Sequence, residues 1–591
     1  MAERNKLVLR IIQLMHKLPS RQLMIVLSII IGFLVGLIAV FMKNAVRILE
    51  HLLTNGFAVN YHNYLYFIYP GIGILAAVLF IRYLLRRPVR DGIPNVLYAL
   101  SRQNGIINGH NTYSSVVTSI LTVGFGGSVG LEGPTVVTGA AWGSNLGKVL
   151  GLNYKQIVAL VGISASASLS AIFKAPIAAI VFALEIILFD MTMTALVPLL
   201  VSSIVATLTS YFFLGQNVLY PFKVVHSFEL SETPYYLLLG IFTALISVYF
   251  IRTYVYTGKI FEKLQGWVTK LIVGAILLGV FIFFLPSLYG EGYESVNEGL
   301  KGNMEFVFDN SIFYAFKDNM HVTLLLLLSV VLFKVLATSL TFRSGGIGGV
   351  FAPTLFIGTM TGLLFVKFLN NYGLTHLPES NFALVGMAGL LAGVVHAPLT
   401  AIFLSVEITG GYELIFPIML VATTSYALSK LLSPRSIYTI QLASRGDVLT
   451  HHKDRSLLAM MAVSDYIEKD FLPVDINANL GELVKIIAQS NRNIYPVVGN
   501  DNTFFGIISL DQIRHNMFKP ELYETTKVRN LMFMPTKIVQ MSDDMETVAT
   551  KFQHSGKYNL VVLDGDKYVG FVSRSNVFSS YRELLQHISD E

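Results

Sequence analysis

Residues 127–134 read GSVGLEGP and residues 348–353 read GGVFAP. Each is a glycine-rich break that ends in proline and lies between long apolar runs. Irregular backbone within an apolar span survives only where protein or a water-filled cavity satisfies its polar groups, so the breaks are expected to line a path. The first break also carries a lone acid, Glu132, with no basic residue within several positions. A charge at membrane depth is costly and marks an ion or proton pathway by default.

Outward from the breaks, the chain repeats itself. FKAPIAAIVFALE spans 173–185 and VHAPLTAIFLSVE spans 395–407. In each, the proline of Ala-Pro is followed nine positions later by a glutamate, Glu185 and Glu407. From Pro134 to Pro176 is 42 residues, and from Pro353 to Pro398 is 45. Paired halves with broken helices in corresponding positions point to a midplane binding site. The plainer reading is that each Ala-Pro kinks a packed helix.

Composition agrees with a membrane protein. The 591 residues are 53% hydrophobic and only 14% charged, too apolar for a soluble chain of this length. Cysteine is absent, which excludes disulfides and thiolate metal sites. The net charge of +6 comes without a dense basic run, so it reads as loop charge and not as a nucleic-acid footprint. No His-Glu-x-x-His, Gly-x-Ser-x-Gly or phosphate loop occurs, so an enzyme is not expected. His396 and the pair His451-His452 read as helix-end and linker residues, and no metal site is assigned.

Arg21 precedes an uncharged run of 21 residues, 22–42, which meets the length of a spanning helix. Arg4, Lys6, Arg10, Lys17 and Arg21 place the N-terminus in the cytoplasm by the positive-inside rule. Residues 191–222, also uncharged, predict one long tilted helix or two shorter ones. After about residue 445 the chain turns polar, and NIYPVVGNDNTFFGIISLDQI (493–513) is echoed by YNLVVLDGDKYVGFVSRSNV (558–577). Each copy reads as strand, turn, strand and helix start. The expected division is a cytoplasmic segment 1–20, a membrane domain 21–445, a linker 446–465 and two soluble modules, 466–528 and 529–591.

A helix N-terminus carries about half a positive charge and unpaired amides. Several such ends aimed at one point bind an anion without lysine or arginine, and weakly enough to release it. DGIP (91–94), GLEGP (130–134) and GGVFAP (348–353) all suit such ends, with glycine for close approach and proline for a first turn. At such a point the Glu132 carboxylate mimics the anion when ionised and swings away when protonated. The bland alternative is a glutamate that caps a neighbouring helix.

Together with SIYTI (436–440), these motifs resemble the CLC family of chloride channels and proton/chloride antiporters over most of residues 20–445, and the C-terminal repeat resembles a CBS pair. The resemblance implies an all-α polytopic membrane domain of two inverted-topology repeats with broken helices, followed by a soluble α/β CBS pair. It further implies a homodimer in the lipid bilayer of the plasma (inner) membrane, with one anion path per subunit and both termini cytoplasmic. It puts the gate on Glu132. It puts the anion site on the Tyr438 hydroxyl and the amides of Val350 and Phe351, framed by Gly92, Ile93, Gly130, Gly133 and Gly349.

Four departures from the family pattern bear on function. Asp91 stands where a serine usually completes the site; it either faces away, pairs with Arg87 or Arg90, shares a proton, or caps the helix starting near Ile93. Ile186 occupies the position of the antiporters' inner proton-relay glutamate and carries no proton. Leu131 replaces the basic residue that commonly precedes the gate, with Lys174 as the candidate to offset it. In the CBS pair, the ribose-contacting pattern Ser/Thr-x-x-Asp is incomplete. Ser509, Asp511, Ser573 and Asn576 are the candidate contacts to an adenine nucleotide, against a purely structural role for the pair.

Glu185 and Glu407 are assigned to structural hydrogen bonds. The expected function is passive, glutamate-gated chloride conduction of the voltage/pH-gated channel type, with no required cofactor. The alternative is proton-coupled chloride exchange on the same fold. A CBS-bearing cation transporter is a distant third, because cation paths use carboxylates or carbonyl rings and these breaks offer amides.

Overall fold

The computed structural model describes residues 18–53, 64–89, 92–187, 195–222, 227–309, 311–373, 375–443 and 461–589. The chain divides into two compact units, residues 1–449 and 450–591. Among the described residues, nine helices are long and apolar enough to cross a membrane, and three shorter apolar helices accompany them.

The first half of the larger unit comprises α1 (Ser20–His51), α2 (Tyr64–Leu79), α3 (Gly92–Arg102), α4 (Asn111–Gly124), α5 (Glu132–Val149), α6 (Tyr154–Phe173), α7 (Pro176–Phe182) and α8 (Leu196–Leu214). The second comprises α9 (Thr233–Glu262), α10 (Trp267–Phe284), α11 (Tyr293–Leu300), α12 (Met320–Arg343), α13 (Phe351–Asn371), α14 (Glu379–Val395), α15 (Pro398–Thr409) and α16 (Ile415–Leu432). A short α17 (Ile437–Ala443) follows. Helix α1 is 32 residues long, well beyond the 22–42 run. Among the described residues of the uncharged 191–222 stretch, α8 is the one α-helix, of 19 residues.

Packing repeats with the sequence. Helix α1 packs on α8 as α9 packs on α16; α5 packs on α6 as α13 packs on α14; α6 packs on α8 as α14 packs on α16. The halves join through α2 with α10 and α7 with α15. Small residues set two of these contacts. A Cβ on Gly143 would stand 2.6 Å from the Leu160 carbonyl, and one on Gly358 would stand 2.7 Å from the Gly386 carbonyl. Close backbone approach through glycine is how apolar helices pack when the hydrophobic effect gives no preference for a partner.

Proline starts helices here: Pro176 opens α7 and Pro398 opens α15. The residues just before, Lys174 and His396, both take left-handed backbone (φ 58° and 61°) as they close α6 and α14. His396 is thus the expected helix end, whereas His451 and His452 lie outside the described residues.

The smaller unit holds two sheets. In one, β2 (Val474–Asp475) pairs parallel with β3 (Ile494–Val498), which pairs antiparallel with β4 (Phe504–Ser509). In the other, β5 (Val539–Gln540) pairs parallel with β6 (Asn559–Asp564), which pairs antiparallel with β7 (Lys567–Ser573). Both hairpins shift register at the same place, after Val497 and after Val562. The fourth strand of the second sheet is β1 (Ile467–Glu468), paired with β7. A segment placed by sequence at the head of the first module therefore completes the sheet of the second.

Candidate anion site

The two breaks meet. Gly130 N–H donates to the Gly349 carbonyl (2.9 Å) and Gly349 N–H donates to the Gly130 carbonyl (2.6 Å), an antiparallel bridge. Each glycine lies four residues before its proline, so the bridge relates equivalent points of the two halves. Antiparallel pairing of equivalent points is what an inverted repeat requires.

Three helix N-termini converge on this bridge. A Cβ on Gly133, in the first turn of α5, would lie 3.1 Å from both the Gly348 carbonyl and Gly349 Cα. On Gly349, just before α13, it would lie 2.7 Å from Gly133 N. Gly92 opens α3 with φ +22°, and its Cβ position is 3.4 Å from Gly133 Cα. Only glycine lets three backbones approach this closely. Ile93 beside it is buried. Asp91 and Arg90 lie outside the described residues, so the question raised by the missing serine stays with the sequence.

The starts of α5 and α13 carry no side-chain cap. Leu131 and Val350 occupy the N-cap positions of α5 and α13, and neither gives a side-chain hydrogen bond. Asn153 forms a capping box with Gln156 at α6 and Asn319 accepts from two amides at α12, but most other described helices of this unit also start without a side-chain cap. Replacing a polar cap by an aliphatic one costs about 1 kcal/mol of helix stability. Here it leaves first-turn amides free of side-chain competition.

Glu132 opens α5 and is fully buried, with both carboxylate oxygens lacking a hydrogen-bond partner. Its Oε2 lies against Gly349, 2.8 Å from where a Cβ would stand, and the backbone amides of Glu132 and Ala352 act on it. Tyr438, on α17, is buried with its Oη unpartnered, and its ring lies 6.4 Å from that of Phe351 at 24°. Phe351 is wedged against Phe173 (6.2 Å) and Phe182 (5.7 Å). Its ring is wall, and its backbone is the end of α13. Buried polar groups are normally paired, at a cost of about 1–3 kcal/mol when they are not. Converging amides and an orphan hydroxyl are chemically suited to a small anion, and the Glu132 carboxylate stands where that anion would.

Glu185 and Glu407 cross-cap the two halves. The Glu407 carboxylate accepts from the amides of Ile177 (3.1 Å) and Ala178 (2.7 Å) at the start of α7. The Glu185 carboxylate accepts from the amides of Leu399 (3.2 Å) and Thr400 (2.8 Å) at the start of α15, and from the Thr400 hydroxyl (2.7 Å). Each repeat's glutamate thus caps the other repeat's Ala-Pro helix. Ile186, next to Glu185, is buried in a π-helical turn at the end of α7.

Lys174 does not serve as an outer attractant for anions. Its Nζ donates to the carbonyls of Gly215 (2.6 Å), Asn217 (3.0 Å) and Leu214 (3.3 Å), closing the C-terminal end of α8. Leu131 is buried, and its amide donates to Glu291 Oε1 (2.9 Å).

The sequence reading missed Lys43, Glu291 and Lys334. Lys43, on α1, interacts electrostatically with Glu291 and Glu132. Lys334, fully buried on α12, donates to the carbonyls of Gly290 (2.9 Å) and Leu288 (3.1 Å) and lies over the Phe356 ring (4.7 Å). It fastens the loop that carries Glu291. One signal existed: Gly290-Glu291-Gly292 is a second acid between glycines in apolar surroundings.

In the smaller unit, the Ser573 hydroxyl donates to Glu468 Oε1 (2.6 Å) and accepts from the Asn576 amide (3.2 Å). Ser509 makes no side-chain cap, and Asp511 pairs with Arg514 at the surface (2.7 Å).

Comparison with known proteins follows this geometry. A family model described as voltage gated chloride channel matches residues 72–430, and a CBS domain model matches 463–519. A putative chloride channel protein, ClcB-like, of Ralstonia nicotianae is 30% identical over 388 residues, covering 64% of this chain and 85% of that protein. The H(+)/Cl(-) exchange transporter ClcA of Salmonella arizonae is 28% identical over 464 residues, covering 74% and 92%. Among solved structures, a slow cyanobacterial Cl-/H+ antiporter superposes with a TM-score of 0.62 at 22% identity, covering 72% of this chain and 98% of that one. A CLC-type fluoride/proton antiporter superposes at 0.56 with 25% identity, covering 71% and 97%.

Proposed function

The chain belongs to the voltage-gated chloride channel family, the CLC family, and on that premise we propose that it exchanges chloride for protons through the Glu132 site. The observation that carries the proposal is the Glu132 carboxylate, buried and unpartnered where α3, α5 and α13 begin. An ionised carboxylate there occupies the berth of an anion. A proton removes its charge and with it the attraction of the helix ends, and chloride takes its place beside the Tyr438 hydroxyl and the amides of Val350 and Phe351. Release of the proton brings the carboxylate back. One side chain thus alternates between proton and anion, which is the minimum that exchange requires.

The names of relatives favour exchange over passive flow: the Salmonella relative is called an exchange transporter, and the two solved structures are called antiporters. Passive conduction is the second reading. It is favoured by Ile186, which puts an apolar side chain where the family's inner relay carboxylate stands. The remaining features of the proposal are a homodimer with one path per subunit, cytoplasmic termini, residence in the plasma membrane, and a structural CBS pair. The last follows from Ser573, whose hydroxyl is already bound to Glu468.

The test is chloride flux from liposomes with simultaneous pH recording. An imposed chloride gradient should drive protons uphill; flux without proton movement would establish the passive reading instead. Flux should rise as pH falls, because protonation frees the berth. Glu132→Ala should leave chloride flux running, independent of pH and uncoupled from protons. A pH profile unchanged from wild type would remove Glu132 from the gate.

A further inference from the structure

A second carboxylate stands at the gate, and nothing in the exchange cycle just described uses it. Glu291 lies in the loop between α10 and α11, yet its Oε1 accepts from the amide of Leu131, the residue immediately before Glu132. The loop is not free to drift. Lys334 holds the Gly290 and Leu288 carbonyls from α12, and Gly290 N–H donates to the Gly126 carbonyl (3.1 Å). Glu291 is therefore anchored from three sides against the first turn of α5.

The charges around it are unequal. Glu132 and Glu291 act on each other, and Lys43 of α1 acts on both. Arg47 and Glu50 lie further along the same helix, and Lys174 adds a positive charge at the end of α6 with its Nζ held by carbonyls of α8 and the following loop. Lys334 faces Glu291 from α12, with its Nζ bound to the two loop carbonyls. Tyr293 of α11 and Tyr220 present phenols to both carboxylates, their rings 5.5 Å apart. Charges in a low-dielectric setting act on one another more strongly than in water.

We propose that Glu291 is a positioning residue of the gate: through its bond to the Leu131 amide, one residue before Glu132, it sets the pH at which Glu132 takes up a proton. The inference rests on the gating role of Glu132. A negative neighbour makes the ionised form of Glu132 less favourable, and a positive neighbour makes it more favourable. Glu291 and Lys43 therefore push the gate in opposite directions.

The experiment measures chloride flux against pH in liposomes holding the full chain, as wild type, Glu132→Ala, Glu291→Gln and Lys43→Gln. Glutamine retains the Oε1 that accepts from Leu131, so a merely structural Glu291 predicts no change in the midpoint. The expected result is an acid shift of the midpoint by about one pH unit for Glu291→Gln and an alkaline shift of similar size for Lys43→Gln. Midpoints that stay at the wild-type value, or that move in the same direction, overturn the inference. Should Glu291→Gln fail to assemble, Glu291→Asp, which withdraws the carboxylate from the Leu131 amide, reads the same residue, and an unmoved midpoint again overturns the inference. Glu132→Ala separates the two levels. A flat profile there with an unmoved Glu291→Gln sinks only the role of Glu291, whereas a wild-type profile for Glu132→Ala sinks the gate itself.

Discussion

The break at 130–134 and the break at 348–353 use the same backbone device with different side chains. Gly130 and Gly349 bridge, Leu131 and Val350 stand at uncapped helix starts, and Pro134 and Pro353 follow in the first turns. Between them, Glu132 in the first half corresponds to Phe351 in the second. One is a buried carboxylate without a partner, the other a ring wedged between Phe173, Phe182 and Tyr438. The pseudo-symmetry therefore supplies converging amides twice, and the departure from symmetry supplies a single movable charge. Where the two halves agree, the residues hold the fold; at the break itself, where they differ, the difference supplies the chemistry. Glu185 and Glu407 make reciprocal caps, but Lys174 closes α8 while His396 lies edge-on to Tyr426 (6.0 Å).

The strongest way to break this comparison is Gly349→Ala. Its Cβ would meet the Gly133 backbone at 2.7 Å, and backbone cannot swing aside as a side chain can. Strain at such a contact costs about 1–3 kcal/mol, enough to cut chloride flux about tenfold or more while the protein still reaches the membrane. Normal flux would mean that the breaks do not need to touch.

Next come the cross-caps. Glu407→Ala strips two amides of their acceptor at the start of α7, and Glu185→Ala strips two amides and the Thr400 hydroxyl at the start of α15. Each should lower stability by about 1–2 kcal/mol, read as thermal inactivation in detergent, with Glu185→Ala equal or larger. If only one of the two matters, the symmetry is in the backbone and not in the energetics.

The smallest effect sharpens the same lesson in the CBS unit, whose hairpins also repeat. Ser573→Ala loses the bond to Glu468 and should cost about 1 kcal/mol in chemical denaturation. Ser509→Ala, at the equivalent position with no side-chain cap, should fall within about 0.5 kcal/mol of wild type.

Much of this was legible before any coordinates. Proline marked the first turns at Pro134 and Pro353, and glycine marked the breaks where Gly133 and Gly349 approach each other, whereas the helix starts at Pro176 and Pro398 came from the structure. Glu185 and Glu407 were expected to make structural hydrogen bonds, and they do. Lys174 was misread because its neighbours in the chain do not show the three carbonyls of residues 214, 215 and 217 that it satisfies. The pairing of β1 with β7 was not legible, because a two-residue strand carries no periodic signal of its partner.

What the sequence determined by itself was everything local: run lengths that need a bilayer, glycine and proline where helices must break, and an internal repeat that implies a two-fold relation. Only the tertiary structure could decide that Lys43 on the first helix and Glu291 between the tenth and eleventh share the surroundings of Glu132, and that each repeat's glutamate caps the other's helix. Local rules act through neighbouring torsions and periodic burial, which a linear string records. A contact between groups roughly a hundred or more positions apart is chosen by packing, and it leaves no trace in the stretch around either residue.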